Sequence, residues 1–348
     1  MTIDIFSSIA FGVELNSILA DKVHPFARAF DRVQLLSQKR FPDPFWKVKR
    51  FFQLTAAERE IKSETAIIND FAYKIIAERR RGTDNADKLG PDLLSRFLDC
   101  KDPKDVPSTR ELRDIVTNFL LAGRDTTACA LSWTMYELAK NPEVVAKIIA
   151  EVDAVCGSSR SDKISEESYS YDRIGELRYT HAVAMETLRL HPSVPVGMKF
   201  AVNADTLPDG TLIHPGASIL YSPYAMGRSE ELWGEDALEF KPERMMDEEG
   251  DNNAEPSQYK YTVFNGGCRI CLGKGLALLE IKLAIAVLLQ FFDFEGRGHE
   301  GGYQSTLVLS MNPGLEIKVK KKKDLRFSKE KEAEEEKEEG EKGGERGE

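Results

Sequence analysis

The densest chemistry in the chain lies in "FNGGCRICLGKG", residues 264–275. Phe264, Gly267, Arg269, Cys271 and Gly273 fall in the pattern Phe-x-x-Gly-x-Arg-x-Cys-x-Gly, directly ahead of an apolar run. Cys268 and Cys271 also form Cys-x-x-Cys, a spacing shared by redox pairs and halves of zinc sites. A zinc site needs further ligands, and the sequence has no second Cys-x-x-Cys or nearby Cys/His pair. The strand that precedes a thioredoxin-type pair is also missing. The third option is one functional cysteine beside an incidental one. Cys271 stands near Arg269 at a helix start, where positive charge and the helix dipole favour thiolate. Thiolate is the form that ligates iron, and the glycines let the backbone pass close to something flat or bulky.

A second cluster is "AGRDTT", residues 122–127, in the middle of a long helical pattern. Gly123 weakens a helix by about 1 kcal/mol relative to Ala, and Asp125 puts a charge inside an apolar run. The plain reading is a helix with a polar stripe. The sharper one is a small-residue notch for a diatomic ligand, with Asp125 and Thr126 relaying protons to it. Two further stretches belong together. Glu186 and Arg189 in "ETLR" share a helix face at i,i+3, and their largely apolar flanks point to burial. A buried Glu186 would hold Arg189 together with Arg244 of "FKPERM" as a polar knot.

These residues need elements to position them. "PSTRELRDIVTNFLLAGRDTTACALSWTMYELAKNP" opens on a capping box, Ser108 with Glu111, and stops at Asn141-Pro142. That predicts roughly 32 helical residues, about 48 Å long, crossing the middle of the domain. Residues 1–100 read as mostly helical, with a polar linker at 81–92. A surface helix at 142–156, a polar loop and a helix ending at "METLRLHP" follow. After Pro192 come short strands with turns at Asp209-Gly210 and Pro215-Gly216. Helix returns at 274–292, and a last strand pair is expected within "STLVLSMNPGLEIKVK". The body is thus mainly α with a minor antiparallel β-sheet. From Lys320 onward Lys, Glu and Gly dominate, which reads as a disordered tail.

The totals fit such a body. The 348 residues are 41% hydrophobic and carry a net charge of −10, half of it in residues 328–348. The remainder is only mildly acidic, which gives nucleic acid no basic surface. Five scattered cysteines are no disulfide framework and read as a reducing compartment. The N-terminus shows neither a signal peptide nor a spanning helix, and Glu280 and Lys282 break the longest apolar run.

The four motifs, in this order and at these separations, resemble the cytochrome P-450 family of haem-thiolate monooxygenases. The resemblance covers about residues 1–319. "LPDGTLIHPGASILYSPYAMGRSEELWGEDALEFKPERM" and "DPFWKVKRF" look closest to the long-chain fatty-acid hydroxylases of plants and fungi. The resemblance implies a P-450 catalytic domain over 1–319, the C-terminal two-thirds of the family fold, with the tail at 320–348. The N-terminal portion, including anchor and first strands, is expected to be missing. The strands near 199–203 and 217–221 would then lack pairing partners. "WKVKR" (46–50) has the Trp-x-x-x-Arg spacing of a family propionate partner, but its neighbours place it over the substrate pocket.

Cys271 matches the axial ligand of the iron in haem b (iron protoporphyrin IX), and Arg269 matches a propionate partner. Phe264 and Gly273 match positions packed around the thiolate. Ala122 and Gly123 match the oxygen-binding groove, and Asp125 and Thr126 the acid–alcohol pair. Glu186, Arg189 and Arg244 match the structural triad. By position, Lys199 matches a second propionate partner, and Val194, Val196 and residues near Leu309 match substrate contacts. Cys268 replaces the family's usual proline. The reaction implied is insertion of one oxygen atom from O2 into a C–H bond of a lipophilic substrate, a fatty acid first. NADPH supplies electrons through a flavoprotein reductase. Full-length relatives are expected on the cytosolic face of the endoplasmic reticulum membrane. The competing readings are an inert or weakly haem-binding fragment, an isomerase or dehydratase, and a thiol or zinc module. Isomerases and dehydratases of the family tend to lose the acid–alcohol pair, which this chain keeps.

Overall fold

The computed structural model describes residues 2–13, 15, 17, 23–81, 93–99, 107–157, 166–247, 250, 253–296, 302–305 and 307–322. Most of the 81–92 linker and the tail beyond Lys322 lie outside the described residues. The chain forms two compact units, Met1–Cys129 with Gln304–Ser310, and Ala130–Tyr303 with Met311–Glu348.

The first unit is helical. Helices α1 (Thr2–Phe11), α2 (Pro25–Gln38), α3 (Trp46–Phe51), α4 (Ala56–Arg81) and α5 (Leu93–Leu98) lead into α6 (Thr109–Lys140). Helix α2 starts on Pro25, whose missing N–H costs nothing in the first turn. It packs along α4, with Phe26 stacked on Phe71 at 4.3 Å between ring centroids. Outside that seam Arg32 pairs with Glu60, and Arg40 with Glu58. The capping box forms as expected. The Ser108 amide donates to Glu111 Oε2 (2.8 Å) and the Glu111 amide to Ser108 Oγ (3.3 Å). Leu112, Val116 and Leu120 then repeat at four-residue spacing and are fully buried, each such side chain contributing about 1.5–3 kcal/mol.

The second unit takes α6 from Ala130 onward, then α7 (Pro142–Cys156), α8 (Tyr171–Glu176) and α9 (Arg178–Leu190). It adds the short α10 (Pro223–Met226) and α11 (Glu230–Trp233), then α12 (Lys274–Phe291). Its core joins Ile148 and Val152 of α7, Val183 and Leu188 of α9, and Ile281 and Ile285 of α12. Every residue of α9 from Ala182 to Leu190 is buried, including Glu186 and Arg189. On α6, the buried Glu137 carboxylate meets His191 Nε2 at 2.7 Å, and Trp133 lies flat on that imidazole at 4.1 Å.

The strands correct two expectations. There is no single minor sheet among the described residues; there are four two-stranded ribbons. β1 (Gly197–Phe200) pairs with β4 (Ser218–Tyr221), so these strands do have partners, namely each other. β2 (Asp205–Thr206) and β3 (Leu212–Ile213) close a hairpin in which Gly210 takes φ 87°, a turn conformation open to glycine. The second correction concerns the C-terminal strands. β6 (Tyr303–Ser305) pairs with β7 (Leu309–Met311), whereas β8 (Ile317–Lys321) pairs with β5 (Phe292–Gly296). β5 leaves α12 directly, with Phe294 opposite Val319. Lys320 and Lys321, assigned to the tail from composition, are therefore strand residues. Their neighbours Ile317 and Val319 give the segment an apolar partner face, and Lys320 pairs with Glu295.

Candidate active site

The cysteine loop is built by three local devices. The Thr262–Phe264 turn ends at Asn265, which takes a left-handed φ of 64°. Its side-chain oxygen accepts from the Gly266 amide (3.1 Å) and from the Tyr221 hydroxyl (3.2 Å). Asn tolerates this region because its short side chain bonds locally. Gly267 then takes φ 61°. Finally the Cys271 amide donates to the Phe264 carbonyl at 2.8 Å, closing the loop. Gly273 caps α12, and a Cβ there would lie 4.0 Å from Cys271 Sγ. Cys268 and Cys271 are both exposed. So are Leu272 (85%) and Ile270 (49%). Arg269 is exposed and has no ion-pair partner among the described residues.

The same unit holds the polar knot. Glu186 and Arg189 are fully buried and paired through both oxygens, at 2.7 and 2.8 Å. The Arg189 guanidinium also donates to the carbonyls of Gly227, Ala237 (2.6 Å) and Glu239 (2.9 Å). Arg244 Nε reaches Glu186 at 3.4 Å, and its other nitrogens donate to the Trp233 and Asp236 carbonyls, each at 2.9 Å. The Lys241 amide adds a fourth donor to Glu186 at 3.0 Å. Gly227 is required, since a Cβ there would stand 2.1 Å from the Arg189 carbonyl oxygen.

On α6 the structure divides the expected notch. Gly123 is not open; the Phe6 ring of α1 fills the space where its Cβ would stand, 2.2 Å away. Ala122 is exposed, and its carbonyl accepts the Thr126 hydroxyl at 2.5 Å. Asp125 is held by a residue that sequence reading missed. Gln34 of α2 donates to Asp125 Oδ2 at 2.5 Å, and Arg124 stands 3.5 Å from Oδ1. Burial pushes the Asp125 carboxyl above its ordinary range, against the pull of Gln34 and Arg124.

The remaining candidates fall as follows. Val194, Val196 and Lys199 are exposed, the lysine opposite Ile219 on the β1–β4 ribbon. Leu309, expected against substrate, is 1% exposed and its carbonyl takes the Cys129 thiol at 3.0 Å. Its near neighbour Leu307 instead lines a cavity of about 610 Å³ in the first unit. Thus Ala122, Gly123, Asp125, Thr126 and Leu309 belong to the first unit, and the others to the second.

The family model for cytochrome P450 matches residues 1–319. The chain belongs to the cytochrome P450 family. It is 36% identical to cytochrome P450 704B1 of Arabidopsis thaliana over 92% of its own length and 68% of that protein. It is 38% identical to cytochrome P450 704C1 of Pinus taeda, covering 91% and 65%. With cytochrome P450 94A1 of Vicia sativa the identity is 35%, over 92% and 62%. The chain thus spans about two thirds of these P450s, or less. The family's cofactor is haem bound through a cysteine thiolate, and the residues of the cysteine loop fit that group. An exposed thiol, a guanidinium with no ion-pair partner among the described residues and exposed apolar flanks suit a flat apolar ring with anionic edges. Among the described residues no group of three or more His, Cys, Asp or Glu could hold a metal ion. No helix among them is long and apolar enough to cross a membrane.

Proposed function

We propose that this P450 chain is the catalytic portion of a haem-thiolate monooxygenase acting on a lipophilic substrate, a long-chain fatty acid first. The observation that carries the reading is the Cys271 loop. It presents one thiol on a backbone closed by the Cys271–Phe264 hydrogen bond, at the start of α12 and two residues beyond Arg269. Cys271 would hold haem b through its sulfur, with Arg269 and Lys199 as partners for the propionates. Phe264 and Gly273 would flank the ligand, where amide donors tune its basicity. Haem, when bound, supplies the iron at which O2 is reduced, one oxygen atom entering a C–H bond and the other leaving as water. The two electrons come from NADPH through a flavoprotein reductase, which full-length relatives are expected to meet at the endoplasmic reticulum membrane.

The protein's own work is to hold protons. Thr126 Oγ1 is fixed by the Ala122 carbonyl, so the hydroxyl oxygen is presented in one orientation. Asp125 sits beside it, with a carboxyl that burial biases toward the protonated form. A general acid works best when its pKa lies near the working pH. Gln34 fixes which carboxylate oxygen is engaged. The Glu186–Arg189–Arg244 knot ties the backbone of 227–241 and is assigned no part in proton transfer.

The test is to supply haem during expression, reduce the protein, add CO and record the Soret band. A strong red shift, lost in Cys271→Ala and kept in Cys268→Ala, is expected. Loss in Cys268→Ala instead would overturn the ligand assignment. No shifted band in the wild type would favour an inert fragment. Thr126→Ala should spend NADPH without matching product; unchanged coupling would remove the proton-relay role.

A further inference from the structure

We propose that Arg50 and Arg110, which both line the first unit's cavity, form a carboxylate anchor, holding a long-chain monocarboxylic acid with its hydrocarbon tail directed along α6 toward Leu121 and the Gln34–Asp125 pair. This rests on the monooxygenase reading and adds to it the residues that select an acid and set its direction.

The cavity has a direction written in α6. Arg110, Arg113, Asp114, Thr117 and Leu121 line it, at the three- and four-residue spacing of one helix face. They run about 16 Å, at 1.5 Å per residue, from the first turn to the residue before Ala122. The lining changes character along the way. Cations gather near the first turn, and Leu121 stands at the other end. Phe30, Val33 and Ile68 of α2 and α4 and Leu307 supply further apolar surface. Its volume of about 610 Å³ is within the range of small-molecule sites.

Charge accounting singles out two of the three arginines. Arg113 is answered: its Nε donates to Asp114 Oδ1 at 2.9 Å, and Tyr73 lies within reach of the guanidinium. Arg50 and Arg110 line the same cavity, and neither side chain has an ion-pair or hydrogen-bond partner among the described residues. Two unanswered guanidiniums beside an apolar wall are a receptor for an anion carried on a hydrocarbon. A carboxylate, flat and bidentate, suits guanidinium donors.

The length agrees. Arg110 and Asp125, on the same face, lie about 22 Å apart along α6. An extended chain of 18 carbons advances about 20 Å, at the 3.3–3.6 Å per three bonds of an extended backbone. An acid anchored at Arg110 therefore presents the carbons farthest from its carboxylate to Leu121 and the Gln34–Asp125 pair. The near end of the cavity also touches the proton machinery, because Gln34 both lines it and holds Asp125.

The experiment compares hexadecanoic acid with its methyl ester, titrated by calorimetry into the haem-loaded chain. The acid should bind at least about tenfold more tightly, since hydrogen bonds to charged groups are the stronger ones. Arg110→Gln and Arg50→Gln should each weaken the acid by about ten- to a hundredfold and leave the ester unmoved. Arg110→Lys should retain most of the acid preference. Equal binding of acid and ester by the wild type would overturn the anchor. So would an acid affinity unchanged in both glutamine variants, or one weakened only in step with the ester. These outcomes separate from the reading above. A red-shifted CO band with turnover of both lipids but no acid preference sinks the anchor alone. Absence of that band in the wild type sinks the monooxygenase reading.

Discussion

The Glu186 knot and the Cys271 loop lie in the same unit and are built on opposite plans. In the knot each hydrogen-bonding nitrogen of Arg189 meets an acceptor, and Glu186 takes donors from two arginines and a backbone amide. In the loop the backbone is tied down by the Cys271 amide, while the thiol, Arg269 and Leu272 stand exposed. A buried ion pair yields little net stability but is costly to break, because removing one partner strands the other charge. An exposed side chain on a fixed backbone costs the fold almost nothing and remains available to a ligand. Burial with complete satisfaction therefore marks architecture, and exposure on a rigid frame marks chemistry.

The largest expected effect breaks the knot. Glu186→Gln should cost about 3–5 kcal/mol, read as a lower urea midpoint at unchanged slope, whereas Cys271→Ser should leave the haem-free midpoint in place. A shift of equal size in both would erase the contrast. Next comes Gly227→Ala, whose added methyl must displace the Arg189 backbone. Overpacking of this kind costs about 1–3 kcal/mol, and a variant melting with the wild type would show that Gly227 is not a constraint.

Glu280 sharpens the comparison from a third direction. It is a buried acid whose Oε1 accepts no hydrogen bond among the described residues. Burial pushes its carboxyl up from 4.5 to about 7. The folded protein then holds a proton that the unfolded chain has released, so stability falls as pH rises from about 4.5 through about 7. Glu280→Gln should remove that slope and stabilise the protein at pH 8 by about 1–2 kcal/mol; parallel pH–stability curves for the two proteins would refute it. The smallest effect is Ser108→Ala at the capping box, about 1 kcal/mol, measured by thermal melting, with an unchanged CO spectrum.

What could be read from the sequence followed locality. The capping box, the stop at Asn141-Pro142 and the Glu186–Arg189 pair depend on neighbours within four residues, and patterns of that range are visible in one dimension. Arg244 was legible only through its motif, since its approach to Glu186 depends on the turn at Pro242–Met245. Gln34 gave no signal, because it meets Asp125 only through the packing of α2. Phe6 was equally silent, and so Gly123 read as an empty notch when it is a filled one. The β5–β8 pairing was hidden because β5 continues directly out of α12 without a turn residue to announce it. Leu309 and Leu307 are chemically identical and two positions apart; only the hairpin geometry sends one into the core and the other to the cavity.

The Phe6 contact has a rotational meaning. The rotation of a packed helix is set by what its faces meet, and successive side chains are about 100° apart. At Gly123 the surface of α6 is dimpled, and an aromatic ring fits that dimple and no other residue of the turn. The ring works as an index pin. With Gly123 seated, Ala122 and Thr126 are only about 40° apart on the adjoining face, and both are carried to one bearing together. A side chain at position 123 would leave the proton-handling pair chemically intact and aim it elsewhere.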